Sequence, residues 1–386
     1  MHIGFAGPID LTMLRSYVPE EVPGVYSFPY TGWLVRTWLD QGHRVTVYAL
    51  SAELRERRVY GDGNRLKIVA VPQRPRARHR ARDFFRVERS GLATGMREHP
   101  ADVISAHWTY EFALAASDTG LPSCVTAHDA PLRSAWEMRS AYRWLRHSLA
   151  LPAVHRATSL SAVSPYTARH VRRCLGVQRH IEVIPNGLML DALPRAEAPR
   201  CHGDPVFASA LRGWGRLKNG TGLLQAFRIV RETLPAARLL VFGDGFGPGG
   251  PAEKWANEQG LREGVEFIGP TDHAMMLQRL AREADVLVHP SRVECFPLTI
   301  LEAMAIGVPV VAGARSGGVP WVLNGGLAGV LTDIGDPATL ALSMTALFRD
   351  HERRALLAER ARKHVADNFQ LQDVARAYID WFGKVS

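Results

Sequence analysis

Two carboxylates, Glu294 and Glu302, stand eight positions apart in the run Ser291-Arg292-Val293-Glu294-Cys295-Phe296-Pro297-Leu298-Thr299-Ile300-Leu301-Glu302. Their surroundings read as strand, loop and helix. Asp285 to His289 is an apolar strand, and Pro297 suits the first helical position, where its missing N–H costs nothing. Gly307 is a natural stop, and the apolar run Val308 to Ala312 follows as a second strand. Glu294 then sits in the loop and Glu302 more than one turn inside the helix. The unpaired N–H groups between them, at Leu298 and Thr299, make a ready site for a phosphate. One carboxylate could hold a sugar hydroxyl and the other a ribose, with a diphosphate between.

Cations that could meet such a diphosphate lie upstream. After the strand Val206 to Ala210 comes Leu211-Arg212-Gly213-Trp214-Gly215-Arg216-Leu217-Lys218-Asn219-Gly220. Glycines let backbone approach a ligand closely. Arg216 offers a bidentate fork and Lys218 a point charge. Two more strand ends, Ala101 to Trp108 and Cys124 to Asp129, deliver His107 and His128. A lone histidine at a strand end is more often structural than catalytic, and His107 is read that way.

The glutamate segment resembles the retaining glycosyltransferases of the GT-B fold, specifically the large family 4 group. Their signature is Glu-x7-Glu with a tail like Glu302-Ala303-Met304-Ala305 and Gly307-Val308-Pro309-Val310-Val311. The basic loop is similar to the family's Gly-Arg-Leu…Lys-Gly segment, whose basic pair grips the leaving diphosphate. The arginine-to-lysine gap is shorter here, so Lys218 maps well while Arg212 and Arg216 compete for the arginine role. Thr126-Ala127-His128-Asp129 resembles the Thr-x-His-(Asp or Gly) element, whose histidine approaches the donor sugar; this puts a functional role for His128 ahead. Ile184-Pro185-Asn186-Gly187 matches a structural turn of the family, and Val241 to Gly245 and Val265 to Pro270 serve as landmarks.

Three departures stand out. Family members usually carry a Gly-Gly pair before their first helix, where this chain has Gly24 alone; either Gly24 fills the role or the loop is rebuilt for a particular acceptor. Trp321, after Gly317-Gly318-Val319-Pro320, stands where many members place a glutamate. Pro297 replaces a frequent glycine and removes one N–H, leaving the amides of Leu298 and Thr299 to serve.

The resemblance implies two Rossmann-like domains with parallel sheets facing across a cleft, and a final helix crossing back to the first domain. It implies transfer of a sugar from a nucleoside diphosphate sugar to a hydroxyl of a glycan, lipid or small metabolite, with retention. No metal cluster is apparent in the sequence and the basic pair makes one unnecessary, so neither metal nor cofactor is expected. Glu302 would hold the ribose, Glu294 and His128 would orient the donor sugar, and the diphosphate would accept the incoming hydroxyl's proton. The rivals are another GT-B enzyme, a sugar-nucleotide epimerase or phosphorylase, and a non-catalytic nucleotide-sugar-binding protein.

The elements that must position these groups alternate strand, helix, strand, which argues for α/β domains. The pattern starts twice, at Ile3 to Ala6 and at Val206 to Ala210. At 386 residues the chain suits two cores. We expect an acceptor-binding domain at 1–190, a proline-bearing linker at 191–205, a nucleotide-sugar domain at 206–365 and a returning helix at 366–386. Helices are expected at Thr31 to Gln41 and Gly220 to Leu234, strands at Arg44 to Leu50 and Arg238 to Phe242, and one terminal helix from Ala355 to Phe382.

The opening, Met1 to Pro8, has neither the basic flank nor the apolar core of a signal peptide. No run approaches the roughly 18 apolar residues needed to cross a bilayer. Cys124, Cys174, Cys201 and Cys295 are far apart and signal neither zinc nor disulfides. A reduced cytoplasmic setting is expected, with room for peripheral contact at the inner membrane face. A net charge of +9 raises nucleic acid as a partner, but no reading module is visible and none is expected. The densest basic run, Arg74 to Arg82, followed by Asp83-Phe84-Phe85-Arg86, reads first as a solvated loop. With Phe84 and Phe85 beside it, residues 74–86 are also a candidate contact for anionic lipid.

Overall fold

The computed structural model describes residues 1–386 apart from 19, 62, 197–202 and 386. Part of the expected linker and Cys201 therefore lie outside the described residues. The chain divides into two compact units, Met1–Gly187 with Leu371–Ser386, and Leu188–Gln370.

The first unit is built on an eight-stranded sheet. Its strands are β1 (His2–Ala6), β2 (Arg44–Ser51), β3 (Arg58–Tyr60), β4 (Leu66–Pro72), β5 (Val103–His107), β6 (Ser123–Ala127), β7 (Ser159–Ala162) and β8 (Glu182–Val183). They lie in the order β3-β4-β2-β1-β5-β6-β7-β8. All pairings are parallel except β3 with β4. The central strands are buried end to end, as a sheet covered by helices on both faces requires.

The second unit carries β9 (Val206–Ala210), β10 (Arg238–Phe242), β11 (Val265–Gly269), β12 (Val286–His289), β13 (Val310–Gly313) and β14 (Val330–Thr332). Their order is β11-β10-β9-β12-β13-β14, all parallel. Strand order reverses between β9 and β12. Ligands of open α/β sheets bind beyond the carboxyl ends of strands at such a switch point. The loops carrying Lys218 and Glu294 both start there. In the first unit the switch lies between β1 and β5, and His107 closes β5.

Several expected elements shift by a residue or two: the first helix is Pro29–Asp40 and the second unit's opening helix is Gly220–Thr233. The helix with Glu302 spans Leu298–Ile306, one residue later than expected. Pro297 is its cap, because ψ of 100° holds it in extended geometry. Gly307 ends it at φ 99°, and a Cβ there would meet Arg362 at 2.0 Å.

The single terminal helix is corrected to two, His351–Asn368 and Leu371–Phe382. Phe369 leaves helical geometry at φ −135° and packs edge-on against Phe296 and Trp321, at 5.5 and 5.6 Å. The last helix belongs to the first unit, where Trp38 donates to the Ala375 carbonyl and Trp381 to Ser159. Gly187, the last residue before the second unit, sits so close to Leu371 that a Cβ would come within 2.7 Å of its Cα.

Candidate functional site

In the second unit, the loop after β9 ends in a tight turn, Arg216–Lys218, closed by Asn219 in the left-handed region at φ 53°. Two contacts stitch it to the loop after β12. The Arg292 N–H donates to the Leu217 carbonyl at 2.8 Å, and the Arg292 guanidinium donates to Asn219 Oδ1 at 3.0 Å. Asn219 in turn donates to the Ile334 carbonyl. So held, Lys218 places its ammonium 2.6 Å from Glu294 Oε1.

Glu294 is fixed by its backbone as well, since its carbonyl accepts from the Gly318 N–H at 2.7 Å. His289, at the end of β12, lies 3.2 Å from the same Oε1. Burial alone would raise the Glu294 pKa. The Lys218 charge and the His289 hydrogen bond outweigh burial and hold the carboxyl well below its usual range.

Eight residues on, Glu302 is 7% exposed and meets His273 Nε2 at 2.8 Å. The hydrogen bond that His273 makes to the Glu302 carboxylate raises the histidine's pKa against the opposing effect of burial. Leu298 and Thr299 open the helix between the two glutamates. Leu301 is the first residue whose N–H bonds back into the helix, onto the Pro297 carbonyl at 3.2 Å. The amides before it project from the first turn. Arg212 and Arg216 are both exposed. Arg216 lines a cavity of about 360 Å³ together with Trp214, Asn219, Thr221 and Arg292, and Arg212 does not.

The first unit holds His128 and Gly24. His128 Nε2 is 2.8 Å from His107 Nδ1, and His107 Nε2 reaches Ser105. Trp108, at a left-handed φ of 66°, stacks on His128 at 4.3 Å, with Phe28 and Tyr30 around it. Burial pushes the His128 pKa down to about 3, and burial together with the neighbouring His128 holds that of His107 well below its usual value. One N–H therefore bridges two uncharged rings at neutral pH. Beside them Asp129 accepts from Tyr110 at 2.5 Å, and burial raises its pKa. The Gly24 N–H is taken by Glu53 at 2.8 Å and its carbonyl by Ser51 at 2.7 Å. Gly24 lines a cavity of about 610 Å³ with Asp10, Arg15, Glu20 and Ser27.

The structure thus brings Lys218 onto Glu294, and Glu302 onto the helix opened by Leu298 and Thr299. Sequence reasoning passed over His289, Arg292 and His273. His289 carried the strand-end signal that singled out His107 and His128. Nothing in the sequence ties His273 to Glu302.

Two family models match. Glycosyl transferases group 1 covers residues 202–364, and Glycosyltransferase Family 4 covers residues 30–192. The chain belongs to the group 1, family 4 glycosyltransferases. A D-inositol 3-phosphate glycosyltransferase of Corynebacterium kroppenstedtii is 34% identical over 188 residues, 46% of this chain and 41% of that protein. An N-acetyl-alpha-D-glucosaminyl L-malate synthase of Bacillus anthracis is 32% identical over 168 residues, 42% and 41% of the two chains. The chain spans less than half the length of these curated relatives. Among solved structures, sucrose-phosphate synthase from Thermosynechococcus elongatus superposes with TM-score 0.78 at 18% identity, covering 100% of this chain and 98% of that one. Anabaena HepE in complex with UDP-glucose gives 0.72 at 18%, covering both chains fully. These neighbours and the two parallel-sheet units establish the GT-B fold.

Proposed function

We propose that this family 4 member transfers a sugar from a nucleoside diphosphate sugar to a hydroxyl acceptor, with retention and without a metal. The observation that carries this reading is the contact of Lys218 with Glu294 beside an open helix start, at the switch point of the second sheet. Lys218, Arg216 and the Leu298 and Thr299 amides supply fixed positive potential where charge grows on the departing diphosphate. Glu302 accepts from the ribose hydroxyls, and Glu294 and His128 orient the donor sugar. The leaving diphosphate takes the proton of the attacking hydroxyl.

The acceptor is a hydroxyl of a glycan, a lipid-linked compound or a small metabolite. The names of the two relatives, a D-inositol 3-phosphate glycosyltransferase and an N-acetyl-alpha-D-glucosaminyl L-malate synthase, point first to small anionic hydroxyl compounds. Nucleoside diphosphate release from a panel of donors, with and without such acceptors, tests the reading; NMR of the product reports the anomeric outcome, and EDTA should leave the rate unchanged. Isomerised donor without acceptor would favour an epimerase, and consumption of inorganic phosphate a phosphorylase. No reaction at all, with nucleotide still bound, would favour a binding protein.

We further propose a reduced, cytoplasmic setting in which residues 74–86 touch an anionic membrane surface. Arg76, Arg78, Arg82 and Arg86 are exposed there, beside Phe84 at 50% exposure. Among the described residues no helix is long and apolar enough to cross a membrane.

A further inference from the structure

Lys218 and His289 converge on one oxygen of Glu294. The distances to Oε1 are 2.6 and 3.2 Å, and among the described residues no protein group meets Oε2. His289 is 3% exposed, and its Nδ1 is buried without a partner. A buried N–H lacking an acceptor is costly, so the ring donates from Nε2, onto Glu294. The carboxylate is therefore gripped on one side by a fixed donor and a long flexible one. Its other side is open.

We propose that the Lys218–Glu294 pair is a latch that discriminates between the intact donor and the nucleoside diphosphate left after transfer, with His289 as the positioning residue that keeps Glu294 in place. The inference rests on Lys218 being a diphosphate ligand. Any diphosphate must draw the ammonium off a part-buried carboxylate, which loses a charged donor. With the intact donor, a sugar hydroxyl donates to Glu294 and makes up that loss. The product has no hydroxyl to offer there. Product binding thus carries the cost of opening the latch uncompensated, which favours release after each turnover.

The consequence is opposite to that of an ordinary ligand residue. Glu294→Gln, which frees Lys218, should tighten binding of the bare nucleoside diphosphate by roughly tenfold while slowing transfer. Isothermal titration with UDP, GDP, ADP and dTDP, each alone, measures this on wild type, Glu294→Gln, Lys218→Met and the double variant. The gain should vanish in the Lys218→Met background. If Glu294→Gln tightens binding equally there, simple relief of repulsion is responsible and the latch is overturned. No gain in Glu294→Gln overturns it as well. Wild-type affinity in Lys218→Met would instead sink the diphosphate role on which the proposal rests.

His289 is tested separately. His289→Leu should leave nucleoside diphosphate affinity near wild type, raise KM for the donor and lower kcat, with partial rescue in His289→Gln. Loss of affinity for donor and product alike, in both variants, would overturn its positioning role.

Discussion

Glu294 keeps its charge in surroundings that oppose it, and the sign of that effect is testable. Its pKa in the folded chain is depressed from 4.5. Its contribution to stability is therefore fully present above the unfolded value and lost as pH falls toward the folded one. The stability advantage of wild type over Glu294→Gln should be greatest near neutrality and shrink between roughly pH 5 and pH 2. Urea unfolding at stepped pH measures it, and a pH-independent difference would contradict the ion pair. His128 is a different case. Held uncharged by burial, it cannot act as a cation on the diphosphate at neutral pH. His128→Ala should spare nucleotide binding and cut transfer at least tenfold, the usual scale of a lost orienting contact. A matched fall in nucleotide affinity would contradict that division of roles. At this scale the sequence pointed to Glu294, Glu302 and Lys218 as candidates through the resemblance of their segments to family 4, and the fold brings Lys218 onto Glu294. The sequence could not show His273 or Arg292, whose partners lie 29 and 73 residues away and meet them only through the fold.

Elements were legible where the local signal was strong. β9 and β10 fall where apolar runs begin and end, and Gly307 stops its helix as a left-handed glycine should. The terminal break was not legible, because no glycine or proline marks it and helical periodicity continues on both sides of Phe369. Its cause is tertiary: Phe369 is turned into contact with Phe296 and Trp321. The same cluster gives Trp321 a packing role at the position where the family resemblance led us to expect glutamate. Phe369→Ala should destabilise the second unit by about 3–5 kcal/mol, read by denaturant unfolding. A loss below about 1 kcal/mol would mean that the aromatic cluster does not hold the break.

For the whole molecule, the repeated strand–helix pattern announced two α/β units, and the returning last helix follows from the pairing of Trp38 and Trp381 with partners in the first unit. The basic run was harder to read, because a charge count does not say which arginines are already engaged. Arg74 is bound by Glu88 at 2.7 Å and Asp83 at 2.8 Å, and Arg80 donates to the Arg74 carbonyl. The exposed set is Arg76, Arg78, Arg82 and Arg86. Neutralising Arg76, Arg78 and Arg82 should lower the partition constant onto phosphatidylglycerol vesicles by roughly a hundredfold, at about 1 kcal/mol per charge, without loss of thermal stability. Equal binding by the variant, or equal binding to neutral vesicles, would contradict the membrane proposal.

The central claim is a nucleoside diphosphate site built on the second unit, and thermal unfolding of wild type and Glu302→Ala with UDP, GDP, ADP and dTDP tests it most directly. A ligand at about 100 times its dissociation constant adds about 2.7 kcal/mol, a shift easily resolved. The account predicts stabilisation of wild type by at least one of the four and its loss in Glu302→Ala, which itself remains folded. Stabilisation that persists undiminished in the variant, or none from any nucleotide with or without acceptor, would contradict it.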